Sequence, residues 1–373
     1  MKKHPTILMI APTPPPTTGQ SLCVDILRRF LDSSGYTVTV LDLNKKALQR
    51  GFGSLQDIVK LLKLFYFLMS HDGKYESVYF TISESPLGNI KDCIIFVLLF
   101  RSLSKTTVHL HGGAGMRLLM ADESIRHRIN NFFLGRCKSV ILLGESMTDI
   151  FKSRLIQKKI KIVTNFCPDS SVGEPEMVAD KWRAKKLEGR LVFTFLSNMI
   201  PEKGCFEILE ALLLLGDIGT NHIDFYFAGS FADDATKVKF EHLSNKLDFI
   251  SFEGFVSGDR KRRLLEKTHV FVLPTYYPFE GQPVSILEAY AAGCAVITTP
   301  HSGIPDIFID GVNGYFVEPA SVDSLCAIFK YTLYNLSAVR DIGLFNYKIE
   351  RLNYSESEHL KKMEKILSED VHR

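Results

Sequence analysis

Residues 270–298 read VFVLPTYYPFEGQPVSILEAYAAGCAVIT, and this stretch decides the fold class. The run at 270–273 is short, apolar and rich in β-branched residues, which is typical of a buried strand. A loop containing proline and glycine follows, and Pro283 suits the first turn of a helix. A second such run occupies 295–298. Strand, helix and strand in this order predict two parallel strands joined by a crossover helix.

The same alternation extends outward in both directions. Further strand-like runs separated by helix-length segments occur at 6–11, 36–42, 77–81, 106–110, 139–143, 191–196, 224–228, 250–252 and 314–317. We therefore expect an α/β protein with two doubly wound parallel sheets in succession. Prolines and charges interrupt the alternation before residue 191. This predicts domains at 1–168 and 191–352, a linker at 169–190 and a closing helix at 353–373.

Composition excludes several classes of protein. The chain has 373 residues, 46% of them apolar and 23% charged, as in ordinary packed domains. Its seven cysteines include no C-x-x-C pair, which favours a reducing, cytoplasmic location and argues against structural zinc. We expect no signal peptide, because the first apolar run is short and ends in prolines. No window approaches the ~18 apolar residues of a spanning helix.

Charge is divided unevenly along the chain. Residues 1–170 hold 23 basic and 13 acidic residues, a net charge of +10, whereas the remainder holds 22 and 29, a net charge of −7. Such asymmetry indicates an anionic partner. Nucleic acid is not expected, because no nucleic-acid recognition motif accompanies the charge. Apolar-basic segments at 58–69 and 93–101 suit an anionic membrane surface, and equally suit core helices with a solvated edge.

Ligands of open parallel sheets bind in the loops that follow the strands. In the first half, Gly19 precedes a helix whose start could hold an anion, although a plain turn is equally consistent. His109 and His111 fall on one side of an extended chain, and two glycines follow them. No carboxylate or cysteine nearby completes a metal set, so His111 is better suited to a polar role in an active site.

Two loops of the second half carry more chemistry. Lys203 and Gly204 open a helix, so an ammonium group and a helix start can converge on one phosphate. After the strand at 270–273, Glu280 precedes a helix and Glu288 lies inside it. These carboxylates could contact opposite ends of one extended ligand. Alternatively, Glu288 is a buried structural residue, which would still require a partner.

At these residues the sequence resembles a known family, the retaining GT-B glycosyltransferases with the E-x7-E motif (glycosyl transferases group 1). Glu280 and Glu288 stand at the motif's two positions. The resemblance is strongest from 192 to 317 and weaker in the first half, where Gly19 and His111 carry it. Supporting motifs are Pro201-Glu-Lys-Gly204, Phe227-Ala-Gly229, the turn at 252–257, Gly303-Ile-Pro-Asp306, Asp310-Gly-Val-Asn-Gly314 and Asn165.

The resemblance implies a GT-B fold, in which two Rossmann-like domains face a central cleft. The second domain would hold a nucleoside diphosphate sugar, and the first would bind the acceptor. Lys203 would neutralise the charge of the diphosphate, Glu288 would accept hydrogen bonds from the ribose hydroxyls, and Glu280 would contact the donor sugar. His111 would lie beside the transferred sugar and Gly19 near the diphosphate. The amides that would hold sugar and phosphate oxygens belong to the segment Gly281, Gln282, Pro283 and Val284, in which Pro283 itself has no N–H. The family needs no cofactor or divalent metal.

Two positions depart from the family pattern. Asn198 stands where many relatives have a phosphate-binding arginine, and the loss of such a charge-assisted contact costs roughly 1.5–3 kcal/mol. Thr18-Gly19 replaces the usual glycine pair, which could crowd the diphosphate or shift that loop. Lys203 and the helix start remain, so we expect activity to persist.

The resemblance predicts a retaining hexosyltransferase whose acceptor is a glycan or a lipid-linked glycan. The context favours surface polysaccharide or lipopolysaccharide assembly, in the cytoplasm or peripherally on the inner face of the cytoplasmic membrane. Two alternatives remain open from the sequence. An epimerase of sugar nucleotides shares the GT-B architecture, although the E-x7-E pattern argues against it. A non-catalytic binder of sugar nucleotides would retain the same pocket without transferring sugar.

Overall fold

A computed structural model describes residues 4–15, 18–43, 63, 65–121, 124–183 and 190–369. The chain divides into two compact units, one formed by 1–164 with 357–373 and the other by 165–356. Each unit contains one six-stranded sheet in which every neighbouring pair of strands is parallel. The expected α/β class with two parallel sheets is therefore confirmed.

The first sheet has the strand order β2-β1-β3-β4-β5-β6. The central strands are buried apolar runs, as expected where helices cover both faces of a parallel sheet. The strands are β1 (Thr6–Ala11), β2 (Thr37–Asp42), β3 (Ser77–Thr81), β4 (Thr106–Leu110), β5 (Ser139–Leu142) and β6 (Ile160–Ile162). Only β6, a short edge strand, lacks a counterpart among the strands expected from the sequence.

Helices of the first unit start at side-chain caps where the sequence offers them. Thr18, Ser85 and Ser124 each accept a hydrogen bond from a backbone amide of the first turn, which satisfies one of the unpaired donors at the helix start. The helices are α1 (Gly19–Ser33), α2 (Pro86–Leu98), α3 (Ala114–Met120), α4 (Ile125–Leu134) and α5 (Arg154–Gln157). Residues 65–71 are also helical.

The second sheet has the strand order β12-β11-β10-β7-β8-β9. Its core is rich in phenylalanine, and the rings of Phe193, Phe225 and Phe329 pack against one another. The strands are β7 (Leu191–Leu196), β8 (Ile223–Ala228), β9 (Ile250–Phe252), β10 (Val270–Leu273), β11 (Ala295–Thr298) and β12 (Gly314–Phe316). The helices are α6 (Pro175–Lys181), α7 (Cys205–Leu215), α8 (Asp217–His222), α9 (Asp234–Ser244), α10 (Gly258–Lys267), α11 (Val284–Ala291), α12 (Val322–Tyr334) and α13 (Leu336–Asn353).

The described part of segment 169–190 is packed into the second unit, where the sequence predicted a linker. Lys181 is buried, and its Nζ donates to the carbonyl oxygens of Thr268 (2.6 Å) and Ala292 (2.5 Å). The indole of Trp182 donates to the carbonyl of Gly293. The segment therefore contributes to the core, and the boundary between the units lies between residues 164 and 165.

The expected closing helix is α14 (Glu356–Ser368). It groups with the first unit, although it follows the second unit in sequence. Buried Leu360, Met363 and Leu367 form its apolar face. The imidazole Nδ1 of His359 lies 2.8 Å from the carbonyl oxygen of Thr164. The first unit is therefore discontinuous in the sequence, and the expected boundary at residue 353 falls inside α13.

Candidate active site

The second sheet reverses its strand order between β7 and β10. The chain proceeds from β7 outward to β9, then returns to β10 on the other side of β7. The loops that follow β7 and β10 therefore leave the same sheet edge in opposite directions and open a crevice, which is where doubly wound folds bind ligands. These loops span 197–204 and 274–283. They are joined by a hydrogen bond of 2.8 Å from the Tyr276 amide to the Glu202 carbonyl.

An ion pair joins the charged residues of the two loops. The Lys203 ammonium lies 2.5 Å from Glu280 Oε2, and both side chains are largely buried. Thr275 donates a second hydrogen bond to the same oxygen at 2.9 Å, and the ring of Tyr277 lies 4.9 Å from the ammonium. Burying two charges is costly, and it is weak support for stability by itself. A polar pair preorganised in a crevice is more simply explained as part of a binding site.

The backbone around Lys203 requires glycine at the next position. Gly204 has φ of +85°, and a Cβ there would lie 2.6 Å from the ring of Pro274. Both facts exclude other residues, because L side chains are strained at such φ values. Lys203 ends a short 3₁₀ turn, Pro201–Lys203, and α7 begins at Cys205. Lys203 therefore precedes the helix. The sequence had suggested instead that Lys203 and Gly204 open it.

Glu288 lies in the second turn of α11 and is buried with two partners. Ser171 Oγ donates to its Oε1 at 2.8 Å, and the Lys261 ammonium forms an ion pair with the same oxygen. Sequence reasoning required a partner for this carboxylate but named neither residue. One signal was present: Lys261 shares a helical face with the buried Leu264 and Leu265, an unusual place for a lysine.

The segment 281–284 is held from two sides. The Asn165 amide donates to Gln282 Oε1 at 3.0 Å, and Asn165 Nδ2 donates to the Gln282 carbonyl at 2.8 Å. Gly303 packs so closely that a Cβ would lie 3.1 Å from both Gly281 and Gln282. Pro283 is the N-cap residue of α11, and no side chain caps this helix. The first turn of α11 can therefore offer amides to an anion.

Asn198 lies in the same loop as Lys203. Its side chain is exposed, and its carbonyl accepts a hydrogen bond of 2.8 Å from the Ile200 amide. The side chain of an arginine at this position would therefore begin at an exposed site in the loop that also holds Lys203. Asn198 supplies no charge there, as the departure from the family pattern implied.

The rings of His109 and His111 lie close together, tilted by 31°, at the end of β4. Their ring centroids are 3.9 Å apart, and Tyr79 Oη lies 2.8 Å from His109 Nδ1. Within the described residues, neither histidine's Nε2 atom has a hydrogen-bond partner, and both atoms are buried. Burial lowers the pKa of His111 to about 3, with a smaller contribution from His359. The imidazole of His111 is therefore neutral near pH 7 and can exchange hydrogen bonds without carrying charge.

Glu84 is a residue of this region that sequence reasoning missed. It follows β3, and its Oε2 accepts a hydrogen bond of 3.1 Å from the Gly115 amide. A Cβ on Gly112 would overlap the Glu84 carboxylate. Gly112, directly after His111, is therefore needed for this carboxylate to approach the backbone. Nothing in the sequence pattern linked residue 84 to residues 111–115, because the contact crosses between neighbouring strands.

Gly19 is the first residue of α1 and is exposed. The Thr18 hydroxyl accepts a hydrogen bond of 3.1 Å from the Ser21 amide, and Ser21 Oγ accepts one of 2.8 Å from the Thr18 amide. This reciprocal arrangement is a capping box. The side chain of Thr18, which replaces the first glycine of the usual pair, is therefore directed toward the helix.

Neither a resident metal site nor a membrane span is found in the part of the chain that the structure describes. That part contains no group of three or more His, Cys, Asp or Glu side chains able to hold a metal ion. Its helices are all too short or too polar to cross a bilayer.

Solved structures share the fold over nearly the whole chain. A glycosyltransferase from Rickettsia africae matches with a TM-score of 0.74 at 16% identity, covering 99% of both chains. Anabaena HepE, solved with UDP and glucose, matches with a TM-score of 0.71 at 16% identity, covering 98% of this chain and 100% of its own. The lipopolysaccharide glycosyltransferase WaaG gives 0.69 at 14% identity, covering 97% and 99%. The fold is therefore the GT-B fold, as the resemblance implied.

Residues 178–340 match the family model of glycosyl transferases group 1. This segment is similar to that family and contains Lys203, Glu280 and Glu288, in line with the resemblance drawn from the sequence. Amylovoran biosynthesis glycosyltransferase AmsK of Erwinia amylovora is 27% identical over 47% of this chain and 45% of its own. Lipopolysaccharide 1,2-N-acetylglucosaminetransferase of Salmonella typhimurium is 25% identical over 50% of each. The chain spans about half the length of these curated relatives.

Proposed function

We propose that this protein transfers a hexose-type sugar from a nucleoside diphosphate sugar to a glycan or lipid-linked glycan, with retention of anomeric configuration. The observation that carries the proposal is the buried Lys203–Glu280 pair at the crevice between β7 and β10. Two supports come from other proteins: the transferase activities in the names of AmsK and the Salmonella enzyme, and the UDP bound in HepE.

In the proposed complex, Lys203 and the uncapped start of α11 contact the diphosphate. Helix α11 is eight residues long and no side chain caps its start, so the amides of its first turn face no competing side chain when an anion binds. Ser171 and Lys261 both engage Oε1 of Glu288, so ribose hydroxyls would donate to Oε2. Glu280 would then exchange part of its contact with Lys203 for hydroxyls of the donor sugar.

The reaction breaks the bond between the anomeric carbon and the diphosphate oxygen, and its electron pair leaves with the diphosphate. The acceptor oxygen forms the new bond on the same face, and its proton passes to the departing phosphate oxygen. Negative charge on the diphosphate grows as the bond breaks. The Lys203 ammonium and fixed amides stabilise that charge more in the transition state than in the ground state.

His111 would contact the transferred sugar as a neutral imidazole. Because burial holds its pKa at about 3, it does not add a positive charge beside the developing oxocarbenium ion. The neutral ring can still accept or donate one hydrogen bond to a sugar hydroxyl. We assign it the role of positioning the sugar, and the Gly19 end of α1 that of approaching the diphosphate.

The acceptor class follows from the relatives' names and from charge. Amylovoran and lipopolysaccharide are the products in the names of two relatives. The basic first 170 residues suit an acceptor presented at an anionic surface. We therefore propose a role in surface polysaccharide assembly, in the cytoplasm or on the inner face of its membrane.

Lys203→Ala tests the function directly. We expect turnover to fall about 10²–10³-fold, because one preorganised contact to the leaving group is lost. Lys237→Ala, an exposed lysine on α9, serves as the matched control and should leave transfer unchanged. Transfer to a lipid-linked oligosaccharide extract is measured with each of several labelled nucleoside diphosphate sugars, with and without EDTA. Activity should persist in EDTA, because Lys203 is proposed to supply the cation.

The same assay distinguishes the alternatives. An epimerase would change the sugar of the donor in the absence of any acceptor. A non-catalytic binder would show a donor-dependent rise in melting temperature without transfer to any acceptor. Full transfer activity in Lys203→Ala would contradict the proposed mechanism.

A further inference from the structure

The outer faces of α2 and α4 carry large apolar side chains exposed to solvent. Along α2 these recur at helical spacing, and α4 repeats the pattern. Their exposed fractions range from 38% to 81%. We call this set the α2–α4 face, and it comprises Leu87, Ile90, Ile94, Val97, Ile125, Ile129 and Phe132.

The two helices lie side by side on the same side of the first sheet. Strands β3, β4 and β5 are consecutive neighbours, so right-handed crossovers place α2 and α4 on one side. Buried Asn89 and Asn130 join them by reciprocal amide hydrogen bonds of 2.9 and 3.2 Å. The rings of Phe96 and Phe133 stack with centroids 5.4 Å apart. The apolar stripes therefore form one continuous surface.

Positive charge surrounds this surface. Arg101, Arg126, Arg128 and Arg136 are exposed on or directly after the two helices, and the Arg136 guanidinium lies 3.6 Å over the ring of Phe132. The sequence of α4 contains no acidic residue, and the one acidic residue of α2, Asp92, is buried. By contrast, Arg28 and Arg29 of α1 pair with Asp25. No described residue forms an ion pair with Arg126 or Arg128.

We propose that the α2–α4 face docks on an anionic phospholipid bilayer. Apolar side chains would enter the boundary between headgroups and acyl chains, and the arginines would contact lipid phosphates. A contiguous exposed apolar patch marks an interaction site, and Arg126 and Arg128, which have no ion-pair partner among the described residues, favour an anionic one. The choice of a membrane also rests on the proposed function, because a lipid-linked acceptor is presented there.

The α2–α4 face differs from the two segments, 58–69 and 93–101, that the sequence suggested for contact with a membrane. Residues 58–62 and 64 lie outside the described residues. Within 93–101, Ile94, Val97 and Phe100 are exposed while Ile95 and Phe96 are buried. That segment is thus both a core helix and a source of exposed apolar surface. Residues 125–136 complete the surface and were not predicted from the sequence.

The test is co-sedimentation of the full chain with vesicles, without donor or acceptor. Vesicles of equal phosphatidylcholine and phosphatidylglycerol should bind the protein at low salt, and phosphatidylcholine vesicles should bind it at least about 25-fold more weakly. Each surface cation strengthens binding to an anionic membrane about fivefold. Arg126→Glu with Arg128→Glu should therefore lower partitioning onto the vesicles by at least about 25-fold. High salt should weaken binding as well.

Apolar variants have a matched control in the second unit. Val97→Asp with Ile129→Asp should abolish sedimentation, whereas Leu214→Asp with Val238→Asp, at similarly exposed positions, should retain it. Circular dichroism verifies folding of each variant. Wild-type binding that the face variants leave unchanged would overturn the proposal. So would a wild-type dimer that the same variants dissociate without any vesicle binding. Because donor transfer is measured separately, loss of lipid binding with intact transfer leaves the proposed function standing.

Discussion

At the residue scale, the site depends on which charges are held in place before any ligand arrives. Glu280 and Glu288 are recognisable from their spacing, and Lys203 from its place before a helix. Lys261, Ser171 and Glu84 were not predicted, because each reaches its partner from another element. Local spacing in a sequence indicates residues that share a loop or helix, but not those that meet across strands.

Lys261→Met tests the newly found partner of Glu288. We expect the dissociation constant of the donor to rise about tenfold or more, because Glu288 loses the charged group that fixes its orientation. Turnover at saturating donor should change little, since Lys261 is not proposed to contact the leaving group. Binding is measured by calorimetry with the donor found in the transfer assay. Arg263→Met, exposed on the same helix, is the control, and equal effects of the two variants would contradict the assignment.

Asn198→Arg tests the departure from the family pattern. A guanidinium in the loop of Lys203 should tighten binding of the nucleoside diphosphate by about tenfold or more, because a charge-assisted hydrogen bond to phosphate contributes roughly 1.5–3 kcal/mol. Asn245→Arg adds the same charge at an exposed position on α9's end and should leave affinity unchanged. A similar gain in both variants would indicate a nonspecific effect of net charge.

At the element scale, the buried strands were predictable and the edges were not. Runs such as 77–81, 106–110 and 270–273 coincide with β3, β4 and β10, because central parallel strands are continuously apolar. Strand β6 is three residues long and only partly buried, so it offers no such run. The helix near the end of the chain was expected from its periodicity, but its packing partner was not, since amphipathicity does not identify the partner.

Met363→Ala tests the packing of α14. The side chain is fully buried, so its truncation should lower the free energy of unfolding by about 2–5 kcal/mol. Lys361→Ala, on the exposed face of the same helix, should change it by less than about 0.5 kcal/mol. Urea unfolding followed by circular dichroism measures both. Equal stability of the two variants would show that α14 contributes no packing.

At the scale of the whole molecule, two units with separate cores differ in their buried titratable groups. In the first unit, burial lowers the pKa of His111 to about 3 and of His359 to about 4. In the second, burial lowers the pKa of His269 to about 4 and raises that of Glu350 to about 7. The last two shifts affect stability in opposite directions. In the first unit burial also lowers the pKa of His109 and raises that of Asp92, so one carboxyl opposes three histidines that act together.

Acidification should therefore destabilise the first unit more than the second. As the pH falls from 6.5, unfolded histidines bind protons that the folded ones do not, which favours unfolding by about 1.4 kcal/mol per pH unit for each histidine. Glu350 offsets the destabilising effect of His269. As the pH falls, Glu350 binds its proton in the folded protein at a higher pH than in the unfolded protein, which favours folding. Trp182, the sole tryptophan, reports on the second unit. The urea midpoint from circular dichroism should shift more between pH 7 and pH 5 than that from Trp182 fluorescence.

A matched variant checks the origin of this shift. His359→Gln removes one of the three buried histidines of the first unit whose pKa is lowered, so the change in the free energy of unfolding between pH 7 and pH 5 should shrink by about 2 kcal/mol. His4→Gln, at an exposed histidine, should leave the difference unchanged. Identical pH dependence of the fluorescence and dichroism midpoints in the wild type would contradict the assignment.

The placement of α14 also constrains the order in which the chain can mature on the ribosome. Residues 1–164 emerge first, yet their fold lacks its last helix until 357–369 have been translated. The intervening unit contains all its own strands and can fold while the amino-terminal part waits. A nascent chain would thus expose the site later filled by Leu360 and Met363 while residues 165–356 are being translated, and chaperone capture should be strongest in that interval.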